Sequence, residues 1–153
     1  MRGILLLLVF ISSGCGFFRG HGQFAFTVAD HTNLPVLEQH FFQPQRFVKP
    51  ATKPIFERDD VLWYAYRPFS AKMGRFYGIS LQKKSLGYQE IDLRNRTIAE
   101  GQGMLIDHYK QLEEGEYRLK VAFENEVIDQ IDFIVVGDSA TESIDYEKDE
   151  TEA

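Results

Sequence analysis

Residues 112–136 read LEEGEYRLKVAFENEVIDQIDFIVV, and the alternation in this stretch decides the fold class. From Glu116 to Phe123, the apolar residues Tyr117, Leu119, Val121 and Phe123 fall on one side, with Arg118 and Lys120 on the other. A period of two marks a half-buried strand, because successive side chains of extended backbone point to opposite faces. Glu124, Asn125 and Glu126 break the pattern, after which Val127, Ile131, Phe133 and Val135 alternate with Gln130 and Asp132. Two such runs joined by a short polar turn predict a β-hairpin that closes a domain.

Upstream, the same period recurs more weakly. Asp60 to Tyr66 (DVLWYAY) sets Val61, Trp63 and Ala65 on one face and Leu62, Tyr64 and Tyr66 on the other. That strand is apolar on both sides and is expected to end before Pro68, which donates no backbone hydrogen bond. Phe76 to Leu81 brings Tyr77, Ile79 and Leu81 together, Tyr88 to Leu93 alternates less clearly, and Gln23 to Val28 (QFAFTV) reads as a short strand. Between Leu34 and Pro54 the prolines Pro35, Pro44, Pro50 and Pro54 argue against a continuous helix or a central strand and leave coil or edge strands. In Met104 to Leu112, Leu105, Tyr109 and Leu112 have helical spacing, but Gly101 and Gly103 stand just before them; a strand is preferred, with a short helix near 104–112 as the alternative.

The sequence Leu112, Glu113, Glu114, Gly115, Glu116, Tyr117 has the form L-x-x-G-x-Y. It resembles the tyrosine corner of immunoglobulin-like and fibronectin-like sandwiches, in which a tyrosine at the start of the penultimate strand bonds back to the backbone. The resemblance implies an all-β, antiparallel sandwich of about seven strands, with Leu112, Gly115 and Tyr117 as the structural corner and Trp63 in the core between the sheets. The chain has a single cysteine, so the disulfide of antibody domains has no counterpart.

That cysteine, Cys15, follows Arg2, an unbroken apolar run Ile4–Ile11 and the small residues Ser12, Ser13 and Gly14. A bilayer span needs about 20 apolar residues, and a short apolar run behind a basic residue is the pattern of an export signal. The segment resembles the lipobox of bacterial lipoproteins, in which the cysteine receives a diacylglyceride and becomes the mature N-terminus. Gly14 and Cys15 match that pattern, while Ser12 stands where the family usually has leucine. The resemblance implies a signal peptide over 1–14, lipid on Cys15 and attachment to a membrane. Gly16 is not the aspartate that retains such proteins at the inner membrane, which leans toward the outer membrane.

The domain plan that follows is a tether over 15–22, a proline-rich segment over 23–57 contributing edge strands, the sandwich over 58–136 and an acidic tail over 137–153. The chain has 153 residues, 44% of them hydrophobic and 14% aromatic, enough for one domain with a core and too apolar for disorder. Its formal charge is −6, which points away from nucleic acid as a partner. The carboxylates Asp138, Glu142, Asp145, Glu147, Asp149, Glu150 and Glu152 face only Lys148, so the tail reads as a solvated end.

No reactive constellation stands out. His21, His31, His40 and His108 show no metal-ligand spacing, and no metal or cofactor is expected. A hydrolase built on Ser80 and His108 with Asp92 or Asp107 would lack a nucleophile elbow. Asp59 with Asp60 and Asp129 with Asp132 read as solvated pairs. Trp63, Tyr64, Tyr66, Phe69, Phe76 and Tyr77 read first as core, with a binding platform as the sharper alternative. Lys83, Lys84, Arg94, Arg96, Arg118 and Lys120 could gather into a cationic face. The expectation is a non-enzymatic, lipid-tethered interaction module with a protein or ligand partner. A structural component of an envelope assembly, docking through the proline-rich segment, is the alternative, and a hydrolase ranks below both.

Overall fold

The hairpin forms where its turn residues allow it: Glu124 and Asn125 both take left-handed conformations, with φ of 51° and 67°. Positive φ at both central residues matches the right-handed twist of the strands that enter and leave the turn. The computed structural model describes residues 21–72 and 74–137. Among these, eight strands and one helix follow in the order β1 (Gly22–Val28), α1 (Val36–Phe41), β2 (Ile55–Glu57), β3 (Leu62–Pro68), β4 (Phe76–Lys84), β5 (Tyr88–Thr97), β6 (Leu105–Tyr109), β7 (Gly115–Phe123) and β8 (Glu126–Val136). The fold is an all-β sandwich, with one strand more than the sequence suggests.

Five strands pair in the order β2-β8-β7-β4-β5 and three in the order β1-β3-β6. Every pairing is antiparallel except that of β2, which lies parallel to β8. β3 and β6 therefore belong to one sheet and β4, β7 and β8 to the other, with a common core between them. Phe24 and Phe26 of β1 belong to the common core with Leu62, Tyr64, Tyr66, Tyr77, Ile79, Leu81, Tyr117, Leu119, Val121 and Phe133. The segment 23–57 thus contributes edge strands, β1 and β2, as the sequence suggests, and through Phe24 and Phe26 it also supplies part of the core.

Two details depart from the sequence expectations, the helix in the proline-rich segment and the place of Trp63, while the preference for a strand over 104–112 agrees with the structure. The prolines do not exclude helix altogether: the stretch between Pro35 and Pro44 holds the six residues of α1, and a proline just before the first turn is compatible with helix because those amides have no intrahelical partner. Residues 105–109 are strand β6. Leu105 and Tyr109 lie four apart, a spacing that puts them on one face in a strand as well as in a helix, so that pair could not discriminate. Trp63 is buried but outside the core between the sheets. Leu62, Tyr64 and Tyr66 take the inward face of β3, which sends Trp63 to the outer face.

Candidate functional site

The corner is closed by a short hydrogen bond. The Tyr117 hydroxyl donates to the Glu113 carbonyl at 2.6 Å, while its ring is buried and stacks on Phe133 with centroids 5.2 Å apart. Leu112 packs against the core from the loop. Gly115 has φ of 148°, and a side chain there would press on Lys83. Glycine suits both constraints, since it lacks the Cβ that makes such backbone costly.

Outside the core, the largest aromatic assembly lies on the outer face of the three-stranded sheet. Trp63 of β3 and His108 of β6 are directly paired across the strands, and their rings stack at 4.5 Å. The chain leaving β1 crosses above them. His31 meets Trp63 at 5.2 Å and His108 at 4.8 Å, both edge-on, and Phe42 stacks on His31 at 5.5 Å. The Trp63 indole donates to the Ala29 carbonyl at 3.0 Å, so both faces of β3 are covered. Burial pushes the His108 imidazole below its ordinary pKa against the pull of the Asp107 carboxylate, with His31 adding to the downward push. His31 is itself buried, and its Nδ1 has no hydrogen-bond partner.

Helix α1 stands on this covering segment and buries none of its residues. Val36, Leu37 and Phe41 are 74%, 72% and 79% exposed. A helix of six residues is too short to be stable in water by itself. It is held locally by the Glu38 and Gln39 amides donating to the Pro35 carbonyl and by the Gln39 side chain donating to the Leu34 carbonyl at 2.7 Å and the Thr32 carbonyl at 3.0 Å. The sequence reading missed this surface. Its signal was three large apolar residues, Val36, Leu37 and Phe41, in a segment that offered them no strand partner.

At the open side between β5 and β6, Asp107 points inward with Leu105 and Tyr109 and meets two arginines of β5. Arg94 reaches it at 3.1 Å and Arg96 at 2.7 Å. Arg94 also donates to the His108 carbonyl at 2.9 Å and lies over the Tyr109 ring at 4.3 Å. The arginines thus satisfy a carboxylate that would otherwise be costly to bury. Beside it, burial raises the Tyr64 hydroxyl well above its ordinary pKa, with Tyr109 and Asp107 adding to the effect.

These placements sort the residues singled out in the sequence. Tyr64, Tyr66 and Tyr77 are core, Trp63 lies on an outer face, and Phe69 and Phe76 are exposed, so the six aromatics do not form one platform. The cations do not gather either. Lys83 pairs with Glu113, Lys84 with Glu116, Arg94 with Asp92 and Asp107, Arg96 with Asp107, and Arg118 with Asp132 through both carboxylate oxygens.

The Ser80 hydroxyl donates to Glu90 at 2.6 Å on the five-stranded sheet, whereas His108 lies against Trp63 on the other sheet. The structure does not bring the two together. Asp60 accepts from the Glu57 amide at 2.8 Å in the turn after β2. His21 Nδ1 donates to the Ile128 carbonyl, 2.9 Å away. Among the described residues, no three His, Cys, Asp or Glu side chains form a group able to hold a metal, and none of the helices is long and apolar enough to cross a membrane. Cys15, the signal segment 1–14 and the acidic tail from 138 onward lie outside the described residues, as does the tether up to residue 20. No family model matches the chain, and no curated protein matches it either.

Proposed function

We propose that this chain is a lipid-anchored, non-enzymatic envelope protein whose sandwich presents a surface for a protein partner. The observation that carries the interaction reading is α1, which buries none of its residues and offers Val36, Leu37 and Phe41 to solvent. Exposed apolar groups gathered on one short element are uncommon on a self-contained domain and mark contact surfaces. The anchor rests on the lipobox-like run ending in Cys15. Stable attachment requires two or more acyl chains, and a lipid-modified cysteine of this type carries at least two. The absence of aspartate at Gly16 favours the outer membrane.

The test places a photo-crosslinking amino acid at Leu37 or Phe41 in cells making the full chain. A discrete crosslinked species is expected, lost when Val36→Asp is added and absent when the crosslinker replaces Leu86, which is fully exposed in the turn between β4 and β5. Indistinguishable products from all three positions would overturn the reading. The same α1 surface also supports the second reading, a fixed component of an envelope assembly. There the crosslinked partner should remain bound through detergent extraction and purification.

A further inference from the structure

We infer that the end of the sandwich from which the tether leaves rests on the bilayer surface, inserting Phe69, rather than standing clear of the membrane. The inference rests on the proposed anchor at Cys15 and adds an orientation and a lipid-contacting surface to it. Five residues, Gly16 to Gly20, lie between Cys15 and His21, and even fully extended the stretch spans about 20 Å. His21 is fixed in the fold: its carbonyl accepts from the Phe69 amide at 2.8 Å, and Gly22 begins β1 opposite Pro68. Whatever holds Cys15 therefore lies within about 20 Å of the loop between β3 and β4. The nine residues of β4 run for about 30 Å away from this end, so the opposite end is beyond the tether's reach.

The composition of the near end fits an interfacial contact. Phe69 and Phe76 flank the loop, 68% and 71% exposed, in a domain whose other described aromatics, apart from Phe41 on α1, are buried or half-buried. Next to Phe69, an apolar groove of about 310 Å³ runs past His21, Tyr77, Phe123 and Ile128. Lys72 borders it with its ammonium 4.8 Å from the centre of the Phe123 ring, and Arg75 follows in the loop. Apolar rings flanked by long cationic side chains suit the boundary between acyl chains and headgroups, where the stems lie in the apolar layer and the charges stay wet. Glu124 of the hairpin lines the same surface hollow as Arg75 and offsets its charge, so apolar insertion, and not attraction to anionic lipid, dominates.

A lipidated Cys15 would leave the full chain without a free thiol, since it is the only cysteine. A probe can then be placed by Ser70→Cys, beside Phe69, and by Ser85→Cys in the β4–β5 turn at the opposite end. The full-length lipidated variants are labelled with an environment-sensitive fluorophore and reconstituted in phosphatidylcholine vesicles containing brominated acyl chains. The probe at 70 should be quenched several-fold more strongly than the probe at 85, and Phe69→Ser should reduce quenching at 70 while the protein still floats with the vesicles. Equal quenching at the two ends, with flotation intact, overturns the orientation and leaves the anchor standing. A blue-shifted but unquenched probe at 70 also overturns it, since the groove is then filled by protein: by Phe17 and Phe18 of the chain or by a second copy. A protein that fails to float and whose unmodified Cys15 reacts with the fluorophore overturns the anchor and the inference with it.

Discussion

The two sheets bury their strands differently. In the five-stranded sheet, β7 alternates fully buried Tyr117, Leu119 and Val121 with half-exposed Arg118 and Lys120, and its outer face meets water through ion pairs such as Arg118 with Asp132. In the three-stranded sheet, β3 is buried on both faces from Leu62 to Tyr66, because residues 29–48 fold back over Trp63 and His108. An alternating strand reports one packed layer, whereas a strand apolar on both sides reports a second cover supplied from elsewhere in the chain.

The largest test of this contrast is Trp63→Ala. It empties the outer cover and leaves the Ala29 carbonyl without its donor, so a loss of about 3 to 5 kcal/mol is expected, as for other large truncations at packed sites. Urea denaturation measures it; a loss below about 1 kcal/mol, the size of an ordinary surface change or less, would mean that the covering segment is not packed on the sheet. Next in size is a pair of hydroxyl deletions. Tyr117→Phe removes the donor to the Glu113 carbonyl and should cost about 1 to 3 kcal/mol if that carbonyl is left unsatisfied. Tyr64→Phe removes a buried hydroxyl that has no partner and should be near neutral or stabilising, since nothing is orphaned. Equal costs for the two would break the distinction between a bonded corner and an unbonded core tyrosine.

Acidity probes the cover separately. His108 is held below its ordinary pKa, chiefly by burial, so below the ordinary histidine value of about 6.5 the unfolded chain takes up a proton that the folded chain resists. Its contribution to stability is complete above that pH and is lost as pH falls toward and through the folded value. Unfolding midpoints between pH 8 and pH 5 should therefore fall less steeply in His108→Asn than in the parent; identical slopes would remove His108 as the titrating group. The smallest effect expected is from truncation after Gly137. The tail residues have no core-facing period, and the change should stay within about 0.5 kcal/mol.

The hairpin 116–136 was legible because its inner face sees one apolar layer and its outer face sees water, which imposes strict alternation on the residues themselves. The corner was legible for a related reason, since Leu112, Gly115 and Tyr117 act over six consecutive residues. Strand β1 was weaker in the sequence, being short, and β2 could not be read from its three residues because a parallel edge strand is defined by the partner it meets. Helix α1 was hidden by the prolines around it, which set its limits without forbidding it. Its exposed face left no periodic mark, since nothing in the domain packs against it.

By itself the sequence determined the sandwich class, the hairpin, the corner tyrosine and the position of the lone cysteine, all of which depend on residues close together in the chain. Only the tertiary structure decided which face of β3 turns inward, that Trp63 lies outside the core under His31 and Phe42, and that two arginines of β5 close over Asp107. Those outcomes depend on contacts between segments tens of residues apart, and a strand apolar on both sides fits either orientation equally well until its neighbours are in place.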